Sequence, residues 1–75
     1  MELVSVESSN VDAIGYDAER KVLIVRFKGT FLGNGAIYEY EEVSADKHSR
    51  LMAADSKGGF LNREIKGSHS YRKVG

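Results

Sequence analysis

The 75-residue chain has no cysteine and no proline, carries no net charge and holds only seven aromatic residues. Without cysteine there is no disulfide framework and no thiolate zinc site, so the hydrophobic core, or a partner, must supply the stability. That core is thin, because a domain of this size buries only about 60–65% of the surface its unfolded chain exposes. Without proline, and with neither a low-complexity run nor an internal repeat, nothing marks a linker, and residues 1–75 read as one domain. No stretch approaches the roughly 18 apolar residues that span a bilayer, and Met1-Glu2-Leu3-Val4-Ser5 lacks the basic start of a secretory leader. A cytoplasmic location with no membrane partner is the default expectation.

Catalytic signatures are missing too. There is no Gly-x-Gly-x-x-Gly, no Walker loop and no nucleophile elbow; the glycine-rich residues 29–35 lack a Lys-Ser/Thr ending and precede a strand. His48 and His69 have no i,i+4 partner for a zinc site. Ser49 next to His48 is no dyad, since adjacent helical residues point roughly 100° apart. A ligand cavity of several hundred Å³ is also hard to carve from so small a core. The expectation is a non-enzyme with no cofactor, no metal and no small-molecule substrate.

What is present is 41% hydrophobic and 29% charged residues, ordinary for a folded domain. The charges are segregated: residues 1–46 hold four Lys/Arg against nine Asp/Glu, residues 47–75 seven against two. A basic half of that density can pair with phosphate if it uses one face, or the two halves can attract each other within the fold.

Periodicity gives an α+β reading: an antiparallel sheet of about four strands packed by one helix and a short second helix, with a C-terminal strand added. Residues 3–6 alternate as an edge strand, and residues 11–16 form a second strand that turns at residues 17–20. Residues 21–27, Lys-Val-Leu-Ile-Val-Arg-Phe, are apolar on both alternating faces, which suits a central strand covered on both sides. After the glycine-rich loop, whose Asn34-Gly35 pair favours a left-handed turn, residues 36–41 alternate. Ala36, Tyr38 and Tyr40 share one face, and Ile37, Glu39 and Glu41 the other.

Ser44 is a helix N-cap, Asp46 suits the positive helix end, and Ala45, His48, Ser49, Leu51 and Met52 form a stripe. Gly58-Gly59 is where this helix should stop. Phe60, Leu61, Glu64 and Ile65 resume helical spacing until Gly67, and residues 68–74 alternate as a last strand.

Taken in order, Ser8-Ser9-Asn10, Ile14-Gly15-Tyr16-Asp17, the β-rich strand, Tyr38-Glu39-Tyr40, Val43, Leu51, Ala54, Ser56, Gly58, Phe60, Asn62 and Ile65 resemble the KTSC domain. That family occurs at the C-terminus of some lysyl-tRNA synthetases and as free-standing bacterial and phage proteins. The resemblance runs from about Val6 to Tyr71 and implies a role in binding RNA. The chain departs from the family pattern in a longer loop carrying Phe31 and Leu32. Ser44 stands where proline is common, His48 where tyrosine is common, and His69-Ser70-Tyr71 replaces a closing Tyr-Pro-Tyr.

Two functional classes follow. In the first, the domain is an RNA-binding accessory module, associated with tRNA by the resemblance. Tyr38, Tyr40 and Tyr71 offer rings for unstacked bases, and Lys57, Arg63, Lys66 and Arg72 phosphate contacts, seconded by Lys47, Arg50 and Lys73. Lys57-Gly58-Gly59-Phe60 is the sharpest anion candidate, with backbone amides ahead of a short helix beside a lysine. Against this stands the plain reading that Tyr38 and Tyr40 fill the core, Tyr38 only partly, and that the lysines are solvated. In the second class the domain binds another protein or its own copy, through Phe31 and Leu32 or the edge strand at residues 3–6.

Overall fold

The β-branched run after the first turn folds as expected into the middle of a sheet. In the computed structural model, which describes residues 3–8, 10–29 and 35–75, β3 (Val22–Phe27) is the third of five strands. Val22, Leu23, Ile24 and Val25 are all buried, two on each face. The sheet is an open antiparallel meander in chain order: β1 (Val4–Ser5), β2 (Val11–Asp17), β3, β4 (Ile37–Tyr40) and β5 (Tyr71–Lys73). The C-terminal strand therefore forms, and its pairing with β4 makes β4 an interior strand.

β2 slips by one residue between Val11 and Ala13. This bulge turns Asp12 outward, where its carboxylate accepts from the Arg26 guanidinium at 2.8 Å. Beyond it the register is regular: Ile14 faces Val25, Val25 faces Tyr38, Leu23 faces Tyr40, and Tyr40 faces Tyr71. One face thus carries Ile14, Leu23, Val25, Tyr38 and Tyr40, and against it pack Val43, Leu51, Phe60, Leu61 and Ile65 as a single hydrophobic cluster. Ala13, Val22 and Ile24 are buried on the other face.

α1 (Ala45–Ala53) begins where expected, with the Ser44 hydroxyl accepting from the Lys47 amide at 3.1 Å. Leu51 is fully buried, His48 and Met52 are partly so, and Ala45 and Ser49 face solvent, which makes the apolar stripe narrower than its sequence spacing. The helix stops earlier than expected, at Ala54, whose backbone is extended. Ser56 then caps α2 (Lys57–Phe60), so Gly58 and Gly59 lie inside a helix rather than ending one. At Gly58 a Cβ would sit 2.4 Å from the Asn10 side-chain oxygen, in the turn tied by Ser8 before β2. Glycine is there for close approach. α2 runs on into a π-helical turn, Leu61–Ile65, closed by the Lys66 amide donating to the Leu61 carbonyl at 2.8 Å.

Gly35 is also a close-approach glycine. Its φ is not positive, so the left-handed turn expected for Asn34-Gly35 does not involve it, and Asn34, like Phe31 and Leu32, lies outside the described residues. A Cβ at Gly35 would fall 1.6 Å from the Phe27 carbonyl oxygen, next to the Phe27 amide donating to Ala36. Because that oxygen belongs to the β3 backbone, whose Phe27 amide is tied to the Ala36 carbonyl, it cannot swing aside as a side chain would. Gly35→Ala is expected to lower unfolding stability by at least about 2 kcal/mol. Gly67→Ala, where nothing lies within 4 Å of a Cβ, should stay within about 0.5 kcal/mol; urea denaturation of the two variants checks both.

Candidate functional site: an aromatic groove on the sheet

Side chains two apart on a strand share a face, and three neighbouring strands each bring rings to the same place. β3 supplies Phe27, β4 supplies Tyr38 and Tyr40, and β5 supplies Tyr71. Together with Ala36 and Lys66 they line an open groove of about 390 Å³. A space of several hundred Å³ therefore exists despite the thin core, because it lies on the sheet surface rather than inside the core.

Tyr38 is the centre of the ring cluster. It meets Phe27 edge-on (centroids 5.8 Å, 78°) and Tyr71 edge-on (5.8 Å, 65°), and it is tilted against Tyr40 at 6.4 Å. Tyr40 also lies 5.9 Å from Tyr71. The rings differ in exposure: Tyr40 is only 3% exposed and belongs to the core, Tyr38 is half-buried, and Tyr71 is 60% exposed. Burial, reinforced by the neighbouring Tyr38 and Tyr71 hydroxyls, pushes the Tyr40 phenol above its ordinary value. Its ring is the groove's floor.

The π-helical turn supplies the groove's cation. By carrying the chain one residue further round before Gly67, it brings the Lys66 ammonium to 5.1 Å from the centre of the Phe27 ring. Lys73 stands opposite Tyr38 in the register, so its side chain leaves the sheet on the same face.

The other cations named from sequence are directed elsewhere. Arg72 alternates to the opposite face, where its guanidinium donates to the Glu39 carboxylate at 3.0 Å. The Lys57 ammonium donates to the Ala54 carbonyl at 2.9 Å, at the C-terminus of α1. Around it the Gly59 and Phe60 amides go to the Ser56 hydroxyl and carbonyl, so these groups of the expected anion cradle are already satisfied. Arg63 is exposed, with its guanidinium folded back beside Gly59, and Arg50 lies over the Phe60 ring at 5.8 Å. Lys47 donates to the Glu64 carbonyl and to His69, both at 3.1 Å.

That last contact fixes the state of His69. An ammonium can only donate, so Nε2 accepts and the ring hydrogen sits on Nδ1, donating to the Glu41 carbonyl at 2.9 Å. His48 instead stacks flat on Tyr16 (4.5 Å, 10°), whose hydroxyl donates to the Val43 carbonyl at 2.5 Å. Among the described residues no three His, Asp or Glu side chains gather as a metal would need.

Sequence reasoning thus named Tyr38, Tyr40, Lys66 and Tyr71, which the fold brings together, and Lys57, Arg63 and Arg72, which it does not bring to the groove. It did not name Phe27 as part of the site, and it placed Ala36 on the face of Tyr38 and Tyr40 without assigning it a role. The signal for Phe27 was available, since it is two residues beyond Val25 and shares its face, but only the pairing with β4 makes it a neighbour of Tyr38.

The architecture defines a class: a small α+β domain whose five-stranded open meander is packed on one face by two short helices and carries an aromatic groove beside its C-terminal strand. Within that class the chain belongs to the KTSC domain family, which it matches over residues 7–71. It is similar to the crystal structure of a KTSC domain protein from Yersinia pestis (TM-score 0.85, 35% identity, covering 99% of this chain and 97% of that one). It also resembles a protein of Tsukamurella paurometabola, 43% identical over 61 residues (81% of this chain, 84% of the relative). A third relative is an uncharacterised protein of Stutzerimonas stutzeri, 36% identical over 69 residues (92% and 90%). None of these relatives points to a catalytic activity. No helix among the described residues is long and apolar enough to cross a membrane.

Burial pushes the His48 imidazole below its ordinary value of 6.5. The unfolded chain then binds more protons than the folded one as pH falls below about 6.5, so stability present above that pH is lost below it. Denaturation midpoints measured between pH 7.5 and 5 are expected to fall, and His48→Gln is expected to flatten that dependence.

Proposed function

We propose that this domain is a non-catalytic binding module that holds single-stranded or looped RNA on the β3–β4–β5 face of its sheet. The observation that carries the reading is the groove, where aromatic side chains are concentrated beside an ammonium group. Base stacking on exposed rings contributes roughly 1–3 kcal/mol per base, and lysines at the rim add phosphate attraction that salt weakens. The resemblance to a domain attached to lysyl-tRNA synthetases makes tRNA the first RNA to try, and a cytoplasmic location goes with that reading.

A second reading has its own observation. The exposed large apolar residues among those described are Val4, Tyr71 and Val74, on or next to the two outer strands. They support a protein-interaction role in which another chain, or a second copy, adds to a sheet edge. The outer strands span only two and three residues, a length that restrains such pairing and favours the RNA reading.

Titration of labelled protein with bulk tRNA, followed by NMR at low and moderate salt, tests the proposal. Salt-sensitive shifts are expected on Tyr38, Lys66 and Tyr71. No shifts at low salt would sink it, and a mass that rises with protein concentration and ignores salt would favour the second reading.

A further inference from the structure

We infer that the groove is a socket for a single nucleotide, which takes the base of one unpaired nucleoside monophosphate unit against Tyr71 and its phosphate at Lys66. This rests on the RNA reading and narrows it: the domain engages RNA where one nucleotide is extruded or terminal, not along a run of bases.

Ring accounting carries the inference. A platform for successive bases needs two or three rings presented to solvent. Here Tyr40 is sealed beneath its neighbours, and Tyr38 is flanked by Phe27, Tyr40 and Tyr71. The Phe27 ring is covered by the Lys66 ammonium. Tyr71 alone of the four rings is largely exposed, on a strand whose residues are all exposed. One free face stacks one base.

Size and charge agree with this. A groove of about 390 Å³ falls near the bottom of the roughly 300–1,000 Å³ range of small-ligand sites, room for one nucleotide and not for several. The cations on this face are Lys66 at the groove and Lys73 opposite Tyr38. Arg72 is turned to the other face, and Lys57 and Lys47 hold backbone carbonyls. Phosphate contacts on this face therefore number one or two, and the slope of log affinity against log salt should lie between about −0.7 and −1.4.

The test uses NMR titrations with adenosine 5′-monophosphate, adenosine and inorganic phosphate. A paired RNA hairpin, the same hairpin with a single-nucleotide bulge, and oligouridylates of four and twelve residues follow. The nucleotide should produce saturable shifts on Tyr38, Lys66 and Tyr71 that neither adenosine nor phosphate matches. The bulged hairpin should bind at least about tenfold more tightly than the paired one, and the longer oligouridylate should gain no more than its number of equivalent positions. Tyr71→Ala should weaken binding by about 5- to 150-fold while Tyr71→Phe retains it. Lys66→Gln should reduce the salt slope by about 0.7. Binding of RNA that ignores the bulge, grows steeply with length, has a larger salt slope or maps away from the groove would overturn the socket and leave the RNA reading standing. No binding of any RNA would overturn both.

Discussion

The register of β3 against β4 is the constraint on which the rest of this structure depends. Leu23 opposite Tyr40 and Val25 opposite Tyr38 place apolar and aromatic side chains on one face. A slip of one residue would send every member of that set to the other side. With the register as it is, Tyr40 becomes core and Tyr38 its half-covered neighbour, and β5 finds a partner strand that carries Tyr71 to the same face. Fold and groove are thus consequences of one pairing, and Tyr40 belongs to both the core and the groove. The Phe27 carbonyl pressing on Gly35 lies at the end of this same ladder. The loop begins where the register is fixed.

The charge segregation of the sequence has a mixed physical outcome. Glu39 with Arg72, and more loosely Asp46 with Arg50 at 4.0 Å, join the acidic first part of the chain to the basic second part. Half-exposed and exposed pairs of this kind contribute little, about 0–1 kcal/mol each. Their importance is directional, since they hold particular cations away from the tyrosine face. Lys47 and Lys57 are occupied by carbonyls at helix and turn ends in the same way. What reaches the groove is a small local charge of one or two lysines. A strongly basic surface would have argued for long nucleic acid, whereas one ring face beside one or two cations argues for a small, discrete contact.

Both histidines take structural roles in this fold. His48 presents a planar face and stacks on Tyr16. His69 uses both ring nitrogens to tie α1, through Lys47, to the chain between β4 and β5. Only His69 stands near the groove's strands, and it stabilises the approach to Tyr71 rather than offering a stacking surface.

Read alone, the sequence determined the elements and much of the pairing. The two-sided apolar run of residues 21–27 required a central strand, the alternation around Tyr38 and Tyr40 put both rings on one face, Ser44 fixed the start of α1, and the ordered motifs gave the family. These are local or periodic signals, carried by neighbours along the chain. What only the tertiary structure decided is which side chains share a surface. Gly58 and Gly59 entered a helix capped by Ser56, with Gly58 leaving room for Asn10, Phe27 joined the groove across a strand pairing, and Lys66 rather than Lys57 or Arg72 reached the rings. The reason is that a cation's direction depends on the strand face, the helical phase at a π turn and the nearest acceptor, none of which composition or spacing records.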